Sequence, residues 1–250
     1  VVRSEAEGFF RAVRSAYETL VICAPTVVDA TLSRMTMERA DARLEQWSQR
    51  LLSVAGIELT VSGRENFDPS RAYLLMSNHA SHFDVPVIFQ AYKRPVRMVA
   101  KKELFAIPVF GRAMKAAGFP EVDRKNRAKA IASLHEGASL FGQGISLWIA
   151  PEGTRSKDGE IGSFKKGGFV IALERQMDIL PVALAGTREV LAPGTVDVHP
   201  RVHVHAHFGS PISPGASAYS SEARDALMQR TERALRDALA IARARRDERR

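Results

Sequence analysis

From residue 9 to residue 52 the apolar positions recur at three- and four-residue steps, first Phe9, Phe10, Val13, Tyr17, Leu20 and Val21, then Met35, Met37, Leu44, Trp47, Leu51 and Leu52. That spacing predicts helices with one apolar face each, kinked or broken at Pro25, whose ring nitrogen has no proton to give the preceding turn. Beyond residue 56 the period changes. Residues 57–61 alternate as an edge strand does and stop at Gly63, whereas 72–76, 96–100, 145–149 and 179–184 are short apolar runs that read as strands, 145–149 being the most continuous. Pro181 argues for a strand end or bulge at its position, because it cannot donate to a ladder. Residues 118–124 form a further strand candidate. Helical periodicity returns from Asp84, over 126–142 with His135 on the outer surface, and from 221 onward.

Strands alternating with helices predict an α/β fold: a single domain with a mixed, mostly parallel sheet flanked by helices. The chain divides into an amphipathic helical segment (1–56), the α/β domain (57–215), and a C-terminal helix with a basic tail (216–250). At 250 residues, one large domain fits and two with linkers do not. The second helical stretch carries Arg34, Arg39, Arg43 and Arg50 among its apolar residues. Such a helix pair either lies in a bilayer interface or packs its apolar face on the domain.

Charge narrows the partners. Thirty-six Lys and Arg against 28 Asp and Glu leave a formal net charge of +8, which suits phosphate headgroups, coenzyme A or nucleic acid without choosing among them. The single Cys23 forbids an internal disulfide or a Cys-rich zinc site. No run of 18 apolar residues occurs, which argues against a spanning helix, and the chain opens at Val1 rather than at a methionine. G-x-S-x-G, Walker, G-x-G-x-x-G and H-E-x-x-H motifs are all lacking, so serine hydrolase, P-loop, dinucleotide and zincin chemistry lose their usual support. His203, His205 and His207 share one face of an alternating strand, a pattern open to a metal ion. A half-exposed edge strand accounts for them without one, and no metal is expected.

Candidate chemistry centres on residues 77–84, Ser-Asn-His-Ala-Ser-His-Phe-Asp, between a predicted strand and a predicted helix. On one continuous helix His79 and Asp84 would stand about 140° apart, so they meet only if the chain turns between them. Asp84 as N-cap and Pro86 in the first turn would start the helix at that point. A carboxylate on one ring nitrogen fixes the tautomer and leaves the other nitrogen free as a general base. A capping Asp beside a buried His is the simpler alternative for these two residues taken alone. Lys101, at a predicted strand's C-terminal end, is a candidate for an anionic group or a solvated lysine. In Pro151-Glu152-Gly153-Thr154-Arg155-Ser156, Gly153 permits close backbone approach and Arg155 can fork two phosphate oxygens. Glu152 can accept from an acceptor hydroxyl or steady a neighbouring base, and Lys165 in the following loop is a second phosphate candidate.

Residues 77–84, 118–124, 151–156 and 179–184, in that order, together resemble the four motifs of the glycerolipid acyltransferase family, whose best-known members are the 1-acylglycerol-3-phosphate acyltransferases. The resemblance covers about residues 63–211. It implies transfer of a fatty acyl group from acyl-CoA or acyl-acyl carrier protein to the free hydroxyl of a lysophosphatidic acid-like acceptor, by direct attack. His79, Asp84 and Glu152 would be catalytic. Asn78, Lys101, Arg124, Gly153, Thr154, Arg155, Lys165 and Pro181 would bind substrate, with Arg124 on the phosphate. No cofactor or metal is implied beyond the acyl thioester co-substrate. Residues 105–117 would help accommodate acyl chains. Pro120 or Glu121, and Ala150, stand where relatives carry bulkier apolar residues. The implied partners are the donor, the lysophospholipid acceptor, an acyl carrier protein and the cytoplasmic face of a membrane, held peripherally or monotopically, and no nucleic acid. Other lysophospholipids, glycolipids or glycerol 3-phosphate are alternative acceptors. A non-catalytic basic protein binding membrane or nucleic acid would keep the charge and need none of the three catalytic residues.

Overall fold

The computed structural model describes residues 2–123, 127–215 and 219–249. Two antiparallel helices come first, α1 (Val2–Thr31) and α2 (Met37–Ala55), the latter capped by the Thr36 hydroxyl and ended by Gly56 at φ +63°. The chain then runs through β1 (Glu58–Ser62), β2 (Leu74–Ser77), α3 (Asp84–Tyr92), β3 (Val96–Met98), β4 (Ala100–Lys101), α4 (Lys102–Phe105) and α5 (Phe110–Ala116). It continues with β5 (Glu121–Val122), α6 (Arg127–Ser139), β6 (Ser146–Ile149), α7 (Gly167–Glu174), β7 (Ile179–Ala185), α8 (Thr187–Val190), β8 (His203–Phe208) and α9 (Ser221–Asp247). The main sheet has the order β1-β8-β7-β2-β6-β3, with every neighbouring pair parallel except β7 and β8. This is the mostly parallel α/β architecture the alternating pattern implies.

Central strand β2 is buried on both faces, so it reads as a run of apolar residues rather than an alternation. Leu74 and Met76 join Leu147, Phe169 and Ile179 on one side, while Leu75 joins Val87 and Ile88 of α3 on the other. Helix α9 lies over Ala183 and Ala185 of β7 through Leu235, Ala238 and Leu239. Both layers thus fix the height at which β2 ends, and with it the loop that follows.

Three expectations are corrected. Pro25 does not break α1, which runs on to Thr31. A mid-helix proline costs about 3 kcal/mol, and here the turn is held by burial of Ile22, Cys23 and Thr26. Residues 96–100 do not form one strand: β3 belongs to the main sheet and β4 pairs with β5 in a separate two-stranded sheet. From 118–124 the described strand is only Glu121–Val122, because Gly118 is left-handed at φ +78° and Pro120 has no donor.

The two N-terminal helices use their apolar faces differently. Helix α2 packs on the domain, burying Leu51 and Leu52 and setting Trp47 edge-on to Phe89 of α3. It is tied to α1 by Trp47 Nε1 donating to Thr19 Oγ1 (3.0 Å), Arg50 to Glu18 (2.9 Å), and Arg43 to Asp29. An ion pair that the periodicity does not announce joins α2 to β3: Arg97, fully buried, reaches the partly exposed Asp41 at 2.6 Å and also donates to the Ala117 carbonyl. Removing Asp41 leaves a buried guanidinium without its counter-ion, at a cost between the roughly 0–1 kcal/mol of an exposed pair and the roughly 3–5 kcal/mol of a fully buried one. Helix α1 instead turns its stripe of Phe9, Phe10, Val13, Tyr17, Leu20 and Val28 to solvent, Phe10 being 69% exposed.

The three histidines of β8 do not lie on an edge strand, since β1 pairs outside them. Their rings alternate with hydroxyls of β1 at 2.7–2.8 Å, in the order His203, Thr60, His205, Ser62, His207. The Arg246 carbonyl near His203 Nδ1 can only accept, so with neutral rings each Nδ1 carries the proton and each hydroxyl donates to an Nε2. Burial, then the neighbouring His207 and His203, hold His205 down to about 4 from its ordinary 6.5, and burial also lowers His207. Because the folded pKa is depressed, the unfolded chain takes up the proton first as pH falls. The ladder's stabilisation is therefore complete above about 6.5 and lost between there and about 4. Urea midpoints taken at about pH 7.5 and about pH 5 should fall for the wild type and fall less for His205→Gln. An equal drop in both would show that the ladder does not carry the pH dependence.

Candidate active site

Strand β2 ends at Ser77 on the C-terminal edge of the parallel strands, and the chain then wraps around one carboxylate before α3 begins. Asp84 is fully buried, and its Oδ2 accepts from His79 Nδ1 (2.7 Å), the Ala80 N–H (2.7 Å) and the Ser81 N–H (2.8 Å). Asp84 is thus not the N-cap. Phe83 holds that position without a side-chain bond, and the Asp84 carboxylate reaches back to donors upstream of the helix. The first turn tolerates this because its leading N–H groups have no helical partner in any case and Pro86 supplies none. Ser81 anchors the loop from the other side, donating to the Leu191 carbonyl and accepting from the Phe83 N–H.

With Nδ1–H committed to Asp84, the lone pair of His79 Nε2 faces outward, and the side chain is 20% exposed. Nε2 makes no hydrogen bond among the described residues. The backbone of His79 is also held at both ends: its N–H goes to Glu152 Oε1 (3.2 Å), and its carbonyl accepts from the Ser156 N–H (2.7 Å). Glu152 is buried and spends its other oxygen on the Gly162 N–H (2.9 Å). Burial raises its pKa, and the two backbone donors oppose that rise. Of the two roles open to Glu152, the geometry matches steadying the base rather than meeting an acceptor hydroxyl.

Around this loop the structure gathers positive charge. Gly153 adopts φ +71°, and the Lys165 stem lies 3.3 Å from where a Cβ would stand, so glycine lets the lysine fold over the turn. Thr154 is exposed beside it. Arg155 is half-buried and has no hydrogen-bonded or ionic partner among the described residues. Lys101 is exposed at the end of β4. Local enclosure and then the charges of Arg155, His79 and Lys101 push the His82 imidazole down to about 4, which places both cations within electrostatic reach of the loop. Arg124 lies outside the described residues.

Two expected substrate contacts are corrected. Asn78 points away from the site: its amide donates to the Leu184 carbonyl (2.9 Å), and its oxygen accepts the Leu184 N–H (2.8 Å). This two-bond clamp joins the end of β2 to the end of β7. Pro181 is buried in β7 opposite Met76, three residues below His79, with its carbonyl accepting from the Gly209 N–H. Sequence reasoning also passed over Ser77 and Trp148. Trp148 Nε1 donates to Ser77 Oγ (2.9 Å), Ser77 donates to the Asn78 carbonyl (2.9 Å), and the indole stands edge-on to His79. A serine and a tryptophan inside apolar strands were the available signal. Helix α5 lines an apolar cavity of about 60 Å³ with Trp47, Val85, Phe110, Met114 and Phe119.

A histidine held by a carboxylate at the C-terminal sheet edge, with Arg155 and Lys101 in electrostatic reach, has the geometry that general-base chemistry on an anionic substrate would use. Residues 58–185 match the family described as Acyltransferase, and the chain belongs to that family. It is 36% identical over 163 residues to a 1-acyl-sn-glycerol-3-phosphate acyltransferase of Cocos nucifera, covering 65% of this chain and 52% of that protein. The human 1-acyl-sn-glycerol-3-phosphate acyltransferase alpha is 33% identical over 135 residues, covering 54% and 48%. The chain thus spans about half the length of these curated relatives. The crystal structure of the 1-acyl-sn-glycerophosphate (LPA) acyltransferase PlsC from Thermotoga maritima superposes with a TM-score of 0.75 over 94% of this chain and 96% of its own, at 24% identity, and shares the fold.

The clamp reading of Asn78 has a direct consequence. Asn78→Asp sets a carboxylate oxygen against the Leu184 carbonyl and should cost about 1–3 kcal/mol in chemical denaturation, with KM for substrates unchanged in the folded enzyme. Unaltered stability with a raised KM would return Asn78 to the substrate site.

Proposed function

We propose that the protein transfers a fatty acyl group from an acyl thioester to the free hydroxyl of a lysophosphatidic acid-like acceptor, with His79 as general base. The observation that carries this is the free Nε2 of an imidazole whose other nitrogen is locked at 2.7 Å on a buried carboxylate. As the acceptor oxygen attacks the thioester carbonyl, its proton passes to Nε2. The tetrahedral intermediate then collapses, the carbon–sulfur bond breaks, and the departing thiolate takes the proton back from the imidazolium. Asp84 keeps the tautomer and meets the transient positive charge. General-base help is worth about 10² to 10⁴ in rate, so alignment of the two substrates supplies much of the remainder. Arg155, lacking a protein partner among the described residues, is free to pair with an acceptor phosphate, with Arg124 and Lys165 as further contacts and Lys101 as a cation for either substrate. The donor is acyl-CoA or an acyl carrier protein, and no cofactor takes part.

The membrane face of the same reading rests on α1. Its exposed apolar stripe runs most of the helix length, and no helix among the described residues is long and apolar enough to cross a bilayer. On this reading helix α1 lies in the lipid interface, on the cytoplasmic leaflet, with the domain hung from it by α2.

Turnover of an acyl thioester by purified protein with a panel of lysophospholipids, a glycolipid and glycerol 3-phosphate tests the assignment. Lysophosphatidic acid should be the preferred acceptor, and His79→Ala should lower the rate by at least about 10². Arg155→Ala should raise KM for the phosphorylated acceptor far more than for the donor. Turnover that survives in folded His79→Ala would remove the general base. For the interface, the double change Phe10→Glu and Leu20→Glu should release the protein from anionic vesicles in a sedimentation assay. Undiminished binding would show that α1 is not the contact.

A further inference from the structure

The general-base reading explains why the His79 ring is held, but it does not explain why the peptide before the ring is held as well. That peptide, between Asn78 and His79, is gripped at both ends. Its N–H goes to Glu152 and its carbonyl receives the Ser77 hydroxyl at 2.9 Å. The Ser77 oxygen is fixed in turn by Trp148 Nε1 at 2.9 Å. Both side chains are buried, Ser77 fully and Trp148 to within 4%. Trp148 sits on β6 between β2 and β3, in register with Leu75 and Met98, so the middle of the sheet fixes its backbone. The indole then meets His79 a second time, with ring centroids 6.2 Å apart and planes at 89°. One side chain thus controls the base from two directions: through a hydrogen-bonded relay to its backbone, and through an edge-to-face contact with its ring.

A tryptophan needed only for bulk has to find some acceptor for its N–H, and a buried serine has to find some partner for its hydroxyl. Here the acceptor chosen is a hydroxyl whose own proton goes to the peptide that carries the base. We propose that Trp148 and Ser77 are positioning residues that set the height and tilt of the His79 imidazole over the acceptor hydroxyl. This rests on the general-base reading of His79. A rotation of that peptide moves Nε2 away from the reacting oxygen without disturbing the cations that would bind phosphate. Loss of the relay therefore acts on the proton transfer and leaves binding alone.

Trp148→Phe keeps an aromatic ring and deletes the donor, while Ser77→Ala deletes the middle link by removing one oxygen and serves if the larger change fails to fold. Steady-state kinetics should show kcat lowered by roughly ten- to a hundredfold in each variant, with KM for thioester and acceptor within about twofold. The double variant should be no slower than the slower single one, because the two residues form a single relay. In a His79→Ala background neither change should lower the residual rate further, which a merely structural role would not predict. A kcat near wild type in folded Ser77→Ala, KM changes that match the loss, or a further drop in the His79→Ala background would overturn the proposal. His79→Ala that retains turnover would show instead that the base reading has failed, and the positioning role would fall with it. An inactive His79→Ala beside fully active Ser77→Ala and Trp148→Phe would reject the relay alone.

Discussion

One carboxylate oxygen organises this molecule's site. Oδ2 of Asp84 takes three donors, two from the backbone and one from an imidazole, and all three come from the five residues that precede it. Hydrogen bonds to a charged acceptor are worth roughly 1.5–3 kcal/mol each, against about 1 kcal/mol for an ordinary helix cap. The loop from His79 to Phe83 is therefore closed on its own end, and α3 begins where that closure leaves it. Because Asp84 is fully buried, its charge is tolerable only with those donors in place, so loop geometry and the tautomer of His79 are set by one contact.

The sheet contributes the height at which this knot stands. Asn78 clamps the end of β2 to the end of β7, Glu152 ties the loop to the turn after β6, and Ser77 with Trp148 ties it to β6 itself. Three of the sheet's strands thus reach the base from different sides. His79 is thus tied through its ring, its N–H and its carbonyl, and under the proposed function such preorganisation would let proton transfer proceed without reorganising the site. The cations around it are the opposite case. Arg155 makes no bond among the described residues, and a guanidinium left unpaired next to a locked base is free to meet an anion.

The N-terminal helices show the same division between fixed and available groups. Helix α2 is fastened by Arg97 to Asp41 and by ion pairs to α1, while the apolar stripe of α1 is exposed among the described residues. Whatever covers that stripe is held by α2 in a defined orientation to the sheet and hence to His79.

The sequence by itself determined the class of the fold, because a helix period of 3.6 residues followed by short apolar runs is a local signal that tertiary packing rarely overrides. It also pointed to the histidine–carboxylate pair as a candidate, conditional on a turn between the two residues, and the structure supplied that turn. What only the tertiary structure decided were contacts across long separations. Asn78 meets Leu184 rather than substrate, Pro181 is buried beneath the site, and Glu152 spends its oxygens on His79 and Gly162. Trp148 finds Ser77 across 71 residues, and Arg97 finds Asp41 across 56. Side-chain type and spacing state what a residue can donate or accept, but the partner is chosen by which strands lie side by side, and that order follows from packing the whole chain at once.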